Sequence, residues 1–164
     1  MTGITALLLF AAWTLVLMFI YVGRRVALVL TFKKPANSWM RGQPTDDPPF
    51  FVRVQHAHFN CLENLPVFGA IVLAGVALGK APVVDQVAAW VLYARLAQSA
   101  VHLIGVSHWL VFIRANFLVI QAALFFYMIW GLLHCIRARG GNCARGSSGR
   151  CWSPRCSCSA PIAG

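Results

Sequence analysis

Most of the polar chemistry of this chain lies in one segment, between Arg53 and Pro66. The segment reads Arg-Val-Gln-His-Ala-His-Phe-Asn-Cys-Leu-Glu-Asn-Leu-Pro and contains the only glutamate of the chain. At about 100° per residue in a helix, five polar side chains share one side. They are Arg53, His56, Asn60, Glu63 and Asn64, whereas His58 and Cys61 point elsewhere. Charged groups in a membrane helix usually face a bundle interior or a water-filled cavity, so this stripe is a candidate functional site.

Two later apolar segments carry polar residues at similar spacing. Arg95, Gln98, Ser99 and His102 fall on one helical face, and Arg114 lies nearly in line with Gln121 two turns further on. Polar stripes on neighbouring helices can meet inside one bundle. We therefore expect the second and third helices to line a shared recess.

These side chains favour an anionic or zwitterionic ligand over a metal ion. A metal site needs several converging His, Cys or carboxylate ligands, whereas here one carboxylate accompanies scattered imidazoles. Arginine forks match carboxylates with two hydrogen bonds, and Glu63 could receive an ammonium group. The tripeptide glutathione, with two carboxylates, one ammonium group and a thiol, has the matching chemistry. No metal site is predicted.

The composition is that of a small multi-span membrane protein. The chain has 164 residues, of which 59% are hydrophobic and 11% are charged, and its net charge is +10. Its basic residues flank apolar runs or lie in the tail, and no basic recognition element separates them. We interpret them as membrane anchors and topology signals, and no nucleic-acid partner is expected.

Four apolar spans predict an all-α membrane protein with a four-transmembrane-helix bundle. They cover about residues 4–32, 49–78, 83–104 and 110–136, within one domain of residues 1–137. Asp46 and Asp47 are plausible caps of the second helix, whose first turn would hold Pro48 and Pro49. Residues 138–164 are rich in Gly, Ser, Arg and Cys with little to bury, which predicts a disordered basic tail.

The distribution of basic residues predicts the orientation in the membrane. The face that carries the first and third loops has most of them outside the tail: Arg24, Arg25, Lys33, Lys34, Arg41 and Arg114. The positive-inside rule assigns this face to the cytoplasm and both termini to the opposite side. The arginines of the tail oppose this assignment.

The polar segment resembles a known family. Residues 53–68 are similar to the second-helix signature of the MAPEG family, the membrane-associated proteins of eicosanoid and glutathione metabolism. The Ala-Arg-Leu at Ala94 to Leu96 and the long polar first loop fit as well. The resemblance, which covers about residues 4–136, implies a homotrimer of four-helix subunits. Glutathione would bind between subunits, and a lipophilic substrate would enter from the surrounding lipids.

The resemblance also implies roles for individual residues. Asn60 and Glu63 match glutathione contacts of the family, and Arg53 matches the basic residue that opens the motif. Arg114 is the candidate for the arginine that stabilises the glutathione thiolate, which would attack an electrophile or a peroxide. The predicted catalytic residue is therefore Arg114, and the predicted glutathione-binding residues are Arg24, Arg53, His56, Asn60, Glu63, Arg95 and His102.

Two departures from the family pattern leave other functions open. His56 stands where eicosanoid-synthesising members carry an arginine, and His102 stands where they carry a tyrosine. Histidine is not a permanent cation, so carboxylate binding would be weaker and pH-dependent. A non-catalytic member that has lost glutathione chemistry is one alternative, and a membrane haem carrier that pairs His56 or His58 with His102 is another. For Arg95, a structural ion pair with Glu63 competes with a direct role.

Overall fold

The computed structural model describes residues 1–40 and 46–144, with side chains described as far as Arg137. The described chain forms four α-helices: α1 Gly3–Leu30, α2 Pro49–Ala77, α3 Ala81–Ile104 and α4 His108–Ala144. A short 3₁₀ helix, Ala36–Trp39, lies between α1 and α2. All four α-helices are long and apolar enough to cross a membrane, which confirms the predicted four-helix membrane bundle.

The helix boundaries agree with the predicted spans except at the end of α4. This helix continues to Ala144, beyond the predicted end at 136 and into the segment predicted to be disordered. Each residue added to an existing helix gains one backbone hydrogen bond, so a polar segment with little to bury can prolong it. The rest of the predicted tail, residues 145–164, and Arg41 of the topology count lie outside the described residues.

The prediction that Asp46 and Asp47 cap α2 is wrong. The N-cap residue is Pro48, and no side chain of the described residues caps this helix end. The carboxylate of Asp47 is instead buried between the guanidinium groups of Arg24 and Arg25. Two arginines offer a buried carboxylate charge-assisted hydrogen bonds and two full positive charges, whereas a helix N-terminus carries only about half of one charge.

The buried carboxylate of Asp47 fastens the connection between α1 and α2. Arg25 donates from Nε and Nη2 to Asp47 Oδ2 at 3.1 and 2.9 Å, and its Nη2 also donates to Gln55 Oε1 at 2.8 Å. Trp39 Nε1 donates to the same carboxylate oxygen at 2.9 Å. The end of α1, the 3₁₀ helix and the first turns of α2 are therefore joined at one point.

The core of the subunit lies between α1, α2 and α3, and α4 packs mainly against α3. The ring of Phe68 on α2 lies between Phe10 of α1 and Phe125 of α4, with ring centroids 6.1 and 6.0 Å away. Close helix contacts depend on glycine, as is common in membrane bundles. A Cβ at Gly75 would lie 2.8 Å from Val84 Cγ2, and one at Gly131 would lie 2.8 Å from Val83 Cγ1.

At the opposite end of the bundle, α3 supplies a cap for α1. Asp85 Oδ1 accepts a hydrogen bond from the backbone N–H of Gly3, and Thr2 Oγ1 accepts one from Thr5 N at 3.2 Å. The first N–H groups of a helix have no partner within the helix, and a carboxylate there also interacts favourably with the helix dipole. The first turn of α1 is thus tied to the first turns of α3.

Candidate functional site

Four basic side chains gather at the end of the bundle where α2 begins, α3 ends and α4 begins. We call this group, Arg53, His56, His102 and Arg114, the basic end. Arg53 Nε donates to the backbone carbonyl of Leu103 at 3.0 Å, which holds the start of α2 against the end of α3. The rings of His56 and His102 meet edge to face with centroids 6.2 Å apart.

The part of the chain that the structure describes does not neutralise the basic end. Among the described residues, no carboxylate lies within ion-pair distance of these four side chains. The guanidinium of Arg114 makes no hydrogen bond to any described residue. The buried Nδ1 of His102 likewise has no hydrogen-bond partner among them. Buried polar groups are normally hydrogen-bonded, so unsatisfied donors and acceptors at one place indicate a site for a polar ligand.

The polar stripe of α2 faces away from the core, as the helical spacing predicts. His56 and Glu63 are exposed and Arg53, Asn60 and Asn64 are half-buried, whereas His58 and Cys61 are buried. His58 Nδ1 lies 3.0 Å from the backbone carbonyl of Thr14, and its ring packs 5.6 Å from that of Tyr21. His58 is therefore a packing residue, which leaves His56 as the histidine of α2 that contacts His102.

The direct contact between His56 and His102 bears on the haem alternative. Two axial histidines hold the porphyrin plane between them. Since the two rings already touch each other edge to face, α2 and α3 would have to separate to admit a haem.

A second polar group is enclosed among α2, α3 and α4. Arg95 Nη1 donates to the carbonyl of Asn60 at 3.2 Å, and its Nη2 donates to Gln121 Oε1. Gln121 Nε2 donates to Gln98 Oε1 at 2.9 Å, and Gln98 Nε2 donates to the carbonyl of Arg114 at 3.3 Å. We call this series, from Arg95 through Gln121 and Gln98 to the Arg114 carbonyl, the buried polar chain.

Arg95 does not reach the open side of α2. Its side chain is only 1% exposed, its guanidinium lies 5.4 Å from the ring centroid of Phe10, and its Nε has no hydrogen-bond partner. Glu63 is exposed and makes no ion pair within the part of the chain that the structure describes. The ion pair between Arg95 and Glu63, one of the two alternatives for Arg95, is therefore not formed among the described residues.

The stripe of α3 is therefore divided between two environments, and the expected single recess is not formed. Arg95, Gln98 and Ser99 are buried, with Ser99 Oγ 3.7 Å from the Cys61 sulfur, while His102 belongs to the basic end. Polar side chains of membrane helices commonly satisfy one another across helix contacts, which explains the enclosure.

The other predicted site residues also fall into separate groups. Arg24 is paired with Asp47, and its guanidinium lies 4.7 Å from the ring centroid of Phe51.

Gln98 and Gln121 were not among the site residues predicted from the sequence. The available signal was an amide in the middle of an apolar span, since such a group needs a polar partner. In the residues that the structure describes, no cluster of three or more His, Cys, Asp or Glu side chains could hold a metal ion.

The fold and these groups define a membrane-spanning four-helix subunit with an enclosed arginine and a basic end that no described carboxylate neutralises. The MAPEG family model matches residues 3–134, and the chain belongs to this family. The protein is thus a multi-pass membrane protein of the glutathione and eicosanoid family. No curated protein and no solved structure matches the chain.

Proposed function

We propose that the protein binds glutathione at the basic end and uses it as a co-substrate, as a glutathione S-transferase or peroxidase for lipophilic electrophiles. The observation that carries this proposal is the absence of a carboxylate partner for the basic end among the described residues. Glutathione brings two carboxylates. Paired with these side chains, they would supply the missing charge and the missing hydrogen-bond acceptors.

The contacts of Arg53 leave part of its guanidinium for a ligand. Among the described residues only Nε has a partner, the carbonyl of Leu103, so both Nη groups can donate to one carboxylate. His56 is exposed beside it and can donate a further hydrogen bond. Asn60 and Glu63 lie one and two turns further along α2, where they match the peptide amides and the ammonium group.

The exposure of Glu63 supports binding between subunits. The same side of α2 exposes Phe59, Leu62 and Val67, and a charged group on such a face would be costly against lipid. A neighbouring copy that covers this face would remove Glu63 from lipid and enclose a ligand. We therefore propose the homotrimer that the family resemblance implies, with the membrane as the source of the lipophilic substrate.

The chemistry proposed for Arg114 is stabilisation of the glutathione thiolate. A nearby guanidinium lowers the pKa of a thiol, and the resulting anion is the nucleophile. With an electrophile, the sulfur forms a thioether. In a substitution the leaving group departs with the electrons of its broken bond, and in an addition the π electrons move onto the acceptor, which then takes a proton. With a hydroperoxide, the thiolate takes one oxygen, an alcohol leaves, and a second glutathione converts the sulfenic acid to a disulfide and water.

The proposed orientation places the basic end in the cytoplasm. Arg24, Arg25, Lys33, Lys34 and Arg114 lie at or near this end, and the positive-inside rule favours the cytoplasmic side for such a cluster. The two termini would then face the opposite compartment.

Thermal stabilisation of the detergent-solubilised protein tests binding directly. A ligand at about a hundredfold excess over its Kd stabilises the folded state by about 2.7 kcal/mol, so glutathione and an analogue without the thiol should both raise Tm. Arg53→Ala should reduce the shift, whereas Arg137→Ala removes an exposed arginine of α4 far from the basic end and should not. No shift in the parent protein would overturn the glutathione proposal.

A non-catalytic family member is the second candidate, because His56 and His102 replace residues of the eicosanoid-synthesising pattern. Measurement of glutathione-dependent turnover distinguishes this candidate from the enzyme. Binding of glutathione without conjugation of a model electrophile or reduction of a lipid hydroperoxide would favour it over the enzyme.

A further inference from the structure

We propose that Gln98 and Gln121 position Arg114, and that the charge of Arg95 sets the direction of the hydrogen bonds through which they do so. The inference rests on the proposed function, in which Arg114 faces the glutathione sulfur. It assigns Arg95, Gln121 and Gln98 as positioning residues rather than ligand contacts. The sequence placed these three side chains on polar faces, and the structure places them in series.

The order of donors and acceptors in the buried polar chain follows from its first member. An arginine can only donate, so Nη2 of Arg95 requires the Oε1 atom of Gln121. The amide nitrogen of Gln121 must then point away, and it donates to Gln98 Oε1. The amide nitrogen of Gln98 is thereby directed at the backbone carbonyl of Arg114. A reversed amide anywhere in the series would place two donors or two acceptors against each other.

The enclosure of the buried polar chain makes this direction stable. Gln121 is 0% exposed and Gln98 is 3% exposed, so water does not offer an alternative partner to either amide. An unsatisfied buried amide is costly, which opposes rotation of either side chain. The two glutamines are therefore held in one arrangement as long as Arg95 is in place.

The bond from Gln98 acts on the first turns of α4, where other restraints are few. Val111, Phe112 and Ile113, which precede Arg114, are all exposed. The connection from α3 consists of Gly105, Val106 and Ser107, which places Arg114 early in α4. Together with the bonds of Gln121, this polar bond from α3 to the Arg114 carbonyl restrains the rotation of α4 about its own axis, and this rotation decides where the guanidinium lies.

The alternative is that the two glutamines only hold helices together. Gln98→Leu removes both the donor to the Arg114 carbonyl and the acceptor of Gln121 Nε2, while Gln121 keeps its bond from Arg95. The two roles then differ in what the variant changes, because only the positioning of Arg114 predicts a change in the thiolate fraction of bound glutathione. Gln98→Met is a second variant with a more adaptable side chain, in case the branched leucine does not pack. Gln86→Leu is the matched control, since Gln86 lies on the same helix and is exposed.

The first measurement is the thiolate fraction of bound glutathione against pH, followed by ultraviolet difference absorbance. In Gln98→Leu or Gln98→Met the midpoint should rise by about half a pH unit or more, equivalent to about threefold less thiolate below the midpoint. The kcat should fall with it, and KM for glutathione should change less. Gln86→Leu should behave as the parent does. An unchanged midpoint in a folded Gln98 variant would overturn the inference.

The second measurement is amide hydrogen exchange of residues 110–118 without glutathione. Exchange should become faster in the Gln98 variants and stay unchanged in Gln86→Leu, because the tie to α4 is lost only in the former. If the parent protein binds no glutathione, the proposed function fails, and the hydrogen-exchange measurement alone decides whether Gln98 positions Arg114. Equal exchange in the parent and the Gln98 variants would then refute the positioning of Arg114.

Discussion

Arg95 carries a permanent charge inside a membrane span, and the groups bonded to it are neutral. Its Nη atoms donate to a backbone carbonyl and an amide oxygen, and the ring of Phe10 lies near its guanidinium. Buried charges are tolerated in membrane helices when such partners satisfy them. At the scale of the single residue, the guanidinium of Arg95 therefore determines which acceptors face it inside the subunit, the carbonyl of Asn60 and the amide oxygen of Gln121.

Replacement of Arg95 should lower the free energy of unfolding, because the buried groups that accept its hydrogen bonds lose their donor. Arg95→Met leaves Gln121 Oε1 without its donor, which should cost about 1–3 kcal/mol. Arg95→Lys keeps the charge but cannot reach two acceptors in the fork geometry of arginine, so it should not restore Tm fully. Thermal melting in detergent measures both, with Arg137→Met at an exposed position as the control. A parent-like Tm for Arg95→Lys would contradict the need for the fork.

The two neighbouring aspartates before α2 should respond differently to the loss of their charge. Asp47→Asn should cost about 3 kcal/mol because it leaves Arg24 and Arg25 without their shared buried partner. Asp46→Asn removes only the exposed pair with Lys34 and should leave Tm nearly unchanged. Equal losses of Tm for the two variants would show that the burial of Asp47 is unimportant.

The Lys34–Asp46 pair also has a defined pH dependence. The hydrogen bond and the charge of Lys34 lower the pKa of Asp46 below its ordinary value. The pair therefore persists as the pH falls to that ordinary value and is lost only as the pH falls through the lowered one. Titration of the Asp46 carboxyl by NMR should give a midpoint below that of an unfolded peptide, and Lys34→Gln should move it back.

At the scale of the helices, close packing is set by a few glycines. Gly75 lets α2 approach Val84 of α3, and Gly131 lets α4 approach Val83. Both valines belong to the first turns of α3, so that short segment is enclosed by glycines of its two neighbours. The other end of α3 is joined to α2 by the bond from Arg53.

Alanine at these glycines should measure how rigid the contacts are. Gly75→Ala or Gly131→Ala places a Cβ 2.8 Å from a valine methyl and should cost about 1–3 kcal/mol. Gly23→Ala, on α1, meets nothing within 4 Å and should be neutral or slightly stabilising because alanine favours the helix. Tm values of the three variants provide the test. Equal effects at Gly23 and Gly75 would mean that the bundle relaxes to admit the methyl group.

At the scale of the whole molecule, the architecture was predictable from the sequence and the pairing of polar groups was not. Apolar runs long enough to cross a bilayer predict the four helices. The helical period also correctly predicts that His56 and His58 lie on different sides of α2. The hydrogen bond between Gln98 and Gln121 depends on how α3 and α4 are rotated about their axes. The local sequence pattern does not determine this rotation. Asp47 was assigned to a cap because its neighbours resemble a helix start, whereas the two arginines that bind it lie on another helix.

The orientation of the whole subunit is also testable. In a background without the tail cysteines, Asn37→Cys and Ser107→Cys should react with a membrane-impermeant thiol reagent only from the cytoplasmic side. Pro82→Cys, in the first turn of α3 and exposed, should react only from the opposite side. The native Cys61 and Cys135 are buried and should contribute little to labelling. The reverse pattern would invert the proposed topology.

The bond between Asp85 and the N–H of Gly3 has a consequence for biosynthesis. The two residues are 82 positions apart, so the ribosome makes the start of the first helix long before its partner exists. Translation delivers a chain from its N-terminus, and early segments wait for later ones. The N-terminal end of α1 is therefore completed only after α3, made much later, has arrived beside it.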